Sequence, residues 1–105
     1  MENNDKITNT ILKFLPGSRI ILFGSRATGN YSNESDYDVL AITPNEINNI
    51  EVRKIKSQIR KELAKMLIPI DIIITSEKEL PHQTIFTNHI VKEALTKGIA
   101  MYGDK

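Results

Sequence analysis

The sequence predicts a small α/β (α+β) protein, built as a mixed β-sheet with helices packed on one face. Three short runs rich in apolar and β-branched residues, at 20–23, 36–42 and 70–74, are typical of strands. Amphipathic segments, with apolar residues every three or four positions, predict helices at about 5–15, 46–67 and 83–97. Helices on one face would leave the other face open for a ligand.

Length and composition limit the classes of function. The 105 residues suffice for one domain spanning residues 1–105. The net charge of +1 gives no overall attraction to nucleic acid or to a membrane surface, so we expect neither as a direct partner. The lack of cysteine excludes disulfides, thiolate metal sites and a cysteine nucleophile. The N-terminus lacks the features of a signal peptide, and we expect a cytoplasmic protein.

The first strand ends abruptly at Gly24, where a tight turn is predicted. A glycine there lets the backbone approach a ligand closely, because no side chain intervenes. We expect Ser25 to cap a short helical turn over residues 26–28, which Gly29 ends. Backbone N–H groups at the start of a helical turn attract phosphate, so this turn is a candidate phosphate site.

Two aspartates open the next predicted strand, residues 36–42. Asp36 and Asp38 share one face because successive side chains of a strand alternate between faces. Neighbouring carboxylates repel, and a divalent cation such as Mg²⁺ would relieve the repulsion and retain room for substrate phosphates. A phosphate-binding turn beside a carboxylate pair suits a nucleoside triphosphate. The simpler alternative is a Gly-Ser turn followed by an exposed acidic strand start.

The spacing of these residues is Gly24-Ser25, ten residues, then Asp36-x-Asp38. It resembles the signature of the nucleotidyltransferase superfamily that has the DNA polymerase β-like palm, and the small size resembles its minimal (MNT) branch. The resemblance implies the palm fold and the Mg²⁺-dependent transfer of AMP from ATP to an acceptor hydroxyl.

A third carboxylate, Asp71, lies in the isoleucine-rich strand 70–74. It could be a charge on an edge strand that opposes aggregation. The resemblance implies instead that Asp71 completes an acidic triad on a neighbouring strand. Asp36 and Asp38 would then bridge two Mg²⁺ ions, for which Mn²⁺ could substitute, and Asp71 would hold the catalytic ion and accept the hydroxyl proton.

The resemblance also assigns roles around the turn. Gly24 and Ser25 would bind the β- and γ-phosphates, and Arg26 would counter phosphate charge unless it is a solvated surface arginine. Thr28 stands where the family often has a second arginine, so phosphate binding would be weaker or differently arranged.

Nothing in the chain is left to form a separate acceptor-binding domain. Chains that resemble this one are often paired with a helical HEPN protein, as an antitoxin that transfers AMP to a tyrosine of its toxin partner. That role is the leading hypothesis. The alternatives are a partner-binding antitoxin module without catalysis, and a nucleotidyltransferase that modifies a small antibiotic.

The predicted helix 46–67 carries a basic face. Its six basic residues are Arg53, Lys54, Lys56, Arg60, Lys61 and Lys65. Such a face can bind an acidic partner or nucleic acid, but Glu51 and Glu62 interrupt it. We therefore interpret it first as a solvated helix face.

Overall fold

The computed structural model describes residues 2–32, 35–82 and 89–103. Within them the main helices are α1 (Glu2–Phe14), α2 (Ser25–Thr28), α3 (Asn49–Lys65) and α4 (His89–Lys97). The strands are β1 (Arg19–Phe23), β2 (Tyr37–Thr43), β3 (Ile70–Ser76) and β4 (Ile99–Tyr102). None of the described helices is long and apolar enough to cross a lipid bilayer.

The strands form one mixed sheet in the order β3-β2-β1-β4. β1 pairs antiparallel with β2 and with β4, and β2 pairs parallel with β3. A parallel pair needs a long crossover connection, and α3 supplies it. The predicted α/β class with a mixed sheet is confirmed, and the register of the parallel pair sets Asp38 opposite Asp71.

The first face of the sheet, defined as the face that contacts α1 and α3, holds the larger core. Side chains of β1, β2 and β3 alternate onto it, among them Ile20, Val39 and Ile72, which are fully buried. The helices meet them with residues at helical spacing, such as Ile11 of α1 and Ile59 of α3. Most of the side chains on this face are apolar.

The opposite, second face is not left open as predicted. It carries Ile21, Phe23, Leu40 and Ile42, and α4 packs on it with Val91 and Ala94. The prediction of helices on one face only was wrong because four large apolar side chains need cover from water.

Several element boundaries differ from the predicted ones. α3 begins at Asn49 because Asn48 caps it, accepting a hydrogen bond from the Glu51 amide at 2.8 Å. β2 begins one residue later than predicted, so Asp36 precedes the strand. The predicted start of the last helix, with Phe86, lies outside the described residues. Within α4, Ile90 is exposed, whereas its neighbour Val91 is buried.

Candidate functional site

Gly24 ends β1 and makes the turn that the sequence predicts. Its φ of +74° and ψ of −156° form a conformation that essentially only glycine adopts. A Cβ at this position would overlap Oδ2 of Asp38 and would lie 3.1 Å from its Cγ. The carboxylate of Asp38 therefore rests directly against the backbone of the turn, and only glycine leaves room for it.

The turn continues into α2, but Ser25 does not cap it as expected. Gly24 is the N-cap residue and makes no side-chain cap, and Ser25 is the first residue inside the helix. The carbonyl of Gly24 accepts from the amides of Ala27 at 3.0 Å and Thr28 at 3.2 Å. Gly29 ends the helix in a left-handed conformation, as predicted. The Ser25 hydroxyl is thus not used as a helix cap.

Asp38 and Asp71 stand side by side on the second face. They are partners in the β2–β3 register, and each lies two residues before a side chain of the second face, Leu40 and Ile73 respectively. Asp71 is on the edge strand, with its side chain 63% exposed, and its Oδ1 lies 3.7 Å from Nη2 of Arg60. Such an exposed ion pair holds Asp71 only weakly.

Asp38 is partly buried and lies among other acidic side chains. Burial raises its pKa above the ordinary value of 3.8, and the nearby charges of Asp71, Asp36 and Glu93 raise it further. Asp36, although it precedes the strand, thus contributes negative charge to the same site. A cation would relieve this repulsion.

The three predicted acids do not form a ready-made cage. Among residues 2–32, 35–82 and 89–103, no group of three or more acidic or imidazole side chains is close enough to hold a metal ion unaided. The structure sets Asp38 and Asp71 in register and brings the charge of Asp36 close to them. Hard carboxylate oxygens in such an open arrangement suit Mg²⁺, which usually takes only one or two protein carboxylates and completes its shell with water and substrate phosphates.

Arg26 is held by contacts that the sequence did not indicate. Its Nη2 and Nε donate to the carbonyl of Ser35 at 2.9 and 3.3 Å. Its guanidinium lies 4.1 Å from the ring centroid of Tyr37 and 4.6 Å from that of Tyr31. These contacts tie α2 to the residue before Asp36, so Arg26 positions the loop that carries an acidic residue.

Glu93 of α4 is the member of the acidic group that sequence reasoning missed. Glu93 lies near Asp38 because α4 covers the second face, and the local sequence does not predict that packing. Arg60 was assigned to the basic helix face, and its pairing with Asp71 also needed the three-dimensional structure.

Comparison with known proteins places this geometry in a family. The model of the family described as nucleotidyltransferase domain matches residues 5–99. No curated protein matches the chain.

Solved structures share the fold. A toxin-antitoxin crystallised with AMP-PNP superposes with a TM-score of 0.71 and 22% identity, covering 98% of this chain and 75% of that one. A mutant of the toxin-antitoxin MntA-HpeT gives 0.68 and 18%, covering 97% and 74%. The tri-AMPylated Shewanella oneidensis HEPN toxin in complex with its MNT antitoxin gives 0.64 and 17%, covering 98% and 71%. With its Gly24 turn, its paired aspartates and a match over residues 5–99, the chain belongs to the nucleotidyltransferase domain family.

Proposed function

We propose that this nucleotidyltransferase is a cytoplasmic antitoxin that transfers AMP from ATP to a tyrosine hydroxyl of a helical HEPN-type toxin. The observation that carries the proposal is the placement of Asp38, in register with Asp71, against the glycine turn that opens α2. The solved neighbours support it, since they include a toxin-antitoxin with a bound ATP analogue and an AMPylated HEPN toxin beside its antitoxin. ATP as substrate is the reason to propose the cytoplasm.

The turn supplies the triphosphate site in this proposal. Gly24 lets the phosphates approach the backbone, and the N–H groups at the start of α2 would donate to the β- and γ-phosphates together with the Ser25 hydroxyl. Arg26 would act mainly by holding the loop through Ser35, and its charge would add to the attraction of phosphate.

Asp36, Asp38 and Asp71 would hold the divalent ions. The fit rests on the burial of Asp38 and on its acidic neighbours, which together raise its pKa, and on a donor set made of carboxylate oxygens only. Bound Mg²⁺ or Mn²⁺ would offset the charge of the triphosphate and make the α-phosphate more electrophilic.

The residues then have distinct tasks in the transfer. The tyrosine oxygen attacks the α-phosphorus, the bond from that phosphorus to the oxygen bridging to the β-phosphate breaks, and pyrophosphate leaves. Asp71 is the better candidate to accept the phenolic proton, because its side chain is exposed at the edge of the sheet where an acceptor can approach. Asp38, packed against Gly24, is fixed in place and suits a purely positioning and charge-bearing role.

The test is transfer of label from ATP radiolabelled at the α-phosphate, with Mg²⁺ and a candidate HEPN-type protein. We expect Asp38→Asn and Asp71→Asn each to lower the rate by about 10²- to 10³-fold, the range measured when one group that stabilises transition-state charge is removed. The control is Glu46→Gln, which makes the same carboxylate-to-amide change at an exposed site outside the acidic group and should leave the rate unchanged. Equal rates in all three variants would contradict the proposal.

The same assay separates the alternative functions. Label on a tyrosine of the protein supports the proposal, whereas label on an aminoglycoside-type hydroxyl would indicate a small-molecule transferase. Toxin neutralisation is measured separately. If the protein is a partner-binding module without catalysis, the Asp36→Asn/Asp38→Asn double variant should neutralise the toxin as well as the wild type does.

A further inference from the structure

A pocket of about 460 Å³ opens beside the acidic residues, at the start of β3. Asp36 and Arg60 form its polar part, and Ala64, Leu67 and residues 68–70 form its apolar part. Arg60 also approaches Asp71. The pocket is therefore mainly apolar and shares its two charged residues with the edge of the candidate site.

Leu67, on the rim of this pocket, has an unusual conformation for a leucine. It follows α3 with a φ of +61° and is 90% exposed. The hydrogen bonds from the Leu67 amide to Ala64 O at 3.0 Å and from the Ile68 amide to Leu63 O at 2.9 Å form the helix-ending motif in which this position is usually glycine. A leucine in this backbone conformation is strained, and its side chain is almost fully exposed. The leucine side chain therefore adds little to the stability of the folded monomer.

A basic cleft of about 280 Å³ adjoins the pocket along α3. Arg60 lines both, and Arg53, Lys56 and Lys61 add three more positive charges to the cleft. The helix carries six basic and two acidic side chains, a net charge of +4, in a chain with a net charge of +1. Like charges four residues apart, such as Lys56 and Arg60, destabilise a helix. The positive charge is thus concentrated on this surface at some cost to folding.

We propose that the pocket and the cleft together form a docking surface for an acidic segment of the protein acceptor. One large apolar side chain of that segment would enter the pocket against Leu67, and its carboxylates would pair with the cleft. The identification of the segment with the acceptor rests on the proposed function, because the surface leads directly to Asp36 and Asp71.

A protein partner fits this surface better than nucleic acid. α3 has no aromatic side chain on which a base could stack. The pocket and Leu67 offer aliphatic surface, which a polynucleotide cannot match and an apolar side chain can.

The experiment measures binding of a fluorescein-labelled glutamate–tyrosine copolymer by anisotropy, without ATP or metal, with a lysine–tyrosine copolymer as the charge control. We expect wild type to bind the acidic copolymer, whereas any binding of the lysine–tyrosine copolymer to the acidic group should not fall in the cleft variant. The Lys56→Glu/Lys61→Glu variant should weaken binding by about tenfold or more. Leu67→Gly should weaken it several-fold with no loss of thermal stability, because glycine suits the left-handed conformation. Lys92→Glu/Lys97→Glu, at two exposed positions of α4, is the matched double charge reversal and should have no effect.

Two binding results would overturn the proposal: wild type does not bind the acidic copolymer, or the cleft variant and Leu67→Gly bind it as wild type does. Displacement of the labelled copolymer by a single-stranded oligonucleotide at a lower concentration than by the unlabelled copolymer would also overturn it.

The outcome is distinguishable from that of the proposed function. Loss of binding in the variants combined with no AMP transfer by wild type would support the docking surface and refute the transferase. AMP transfer with an unchanged KM for the protein acceptor in both variants would support the transferase and refute the docking surface.

Discussion

The two faces of the sheet are built from the same strands and differ in what they carry. The first face is mostly apolar and is covered by α1 and α3. The second face is apolar only beneath α4. Two residues before Leu40 and Ile73, the same face carries Asp38 and Asp71. Because side chains alternate along a strand, the first face stabilises the fold and the second face carries carboxylates that repel one another.

The largest expected effect is on the first face. Ile59→Ala removes a fully buried side chain from α3 and should lower the free energy of unfolding by about 2–5 kcal/mol. The matched control is Ile50→Ala on the same helix, where the side chain is 77% exposed and the change should stay within about 0.5 kcal/mol. Urea denaturation measures both. Similar losses in the two variants would mean that the first face is not the main source of stability.

An intermediate effect is expected where the turn meets the second face. Gly24→Ala should cost about 1–3 kcal/mol of stability and displace Asp38, because it combines a glycine-only backbone conformation with overlap on a carboxylate. Gly29→Ala also has a positive φ, at +87°, but it lies in the left-handed helical region and its Cβ would meet nothing within 4 Å, so it should show only the milder strain of that region. We expect the first variant, and not the second, to lose nucleotide binding by calorimetry.

The smallest effect is a gain of stability on the second face. The folded state raises the pKa of Asp38, mainly through burial, so it binds the proton more tightly than the unfolded chain does. The free energy of unfolding therefore falls as the pH rises from the unfolded pKa through the folded one, and the full penalty is present at neutral pH. Asp38→Asn removes that penalty and should raise the Tm slightly at pH 7, with no gain below the unfolded pKa. A lower Tm at pH 7 would show that the ionised carboxyl stabilises the fold.

Much of the fold follows from local sequence. The β-branched runs that end at Gly24 and begin after Pro69 define strands, and the stripe through Ile59 defines α3. The cover that α4 gives to the second face could not be predicted, because the apolar residues of β1 and β2 look the same whether a helix or a ligand lies over them. The start of α3 was misplaced because Asn48 is one of several polar residues that could cap it.

The candidate site was predictable only in part. Alternation puts Asp36 and Asp38 on one side, but the neighbouring position of Asp71 depends on a parallel pairing that the resemblance implied and local pattern does not encode. Arg26 contacts rings five and eleven residues along the chain, and Glu93 approaches Asp38 across 55 residues. Neither kind of pair contact leaves a periodic signal in the sequence.

Gly98 has a mechanical consequence for the acidic end of the sheet. It is the one residue between α4 and β4, its amide bonds to Ala94 O at 2.9 Å, and a Cβ there would overlap Ala94 O and come within 2.5 Å of Ile21 Cγ2. Because one residue joins them, a large movement of α4 would also displace β4, which pairs with β1. The position of Glu93 near Asp38 is therefore coupled to the edge strand opposite the one that carries Asp71.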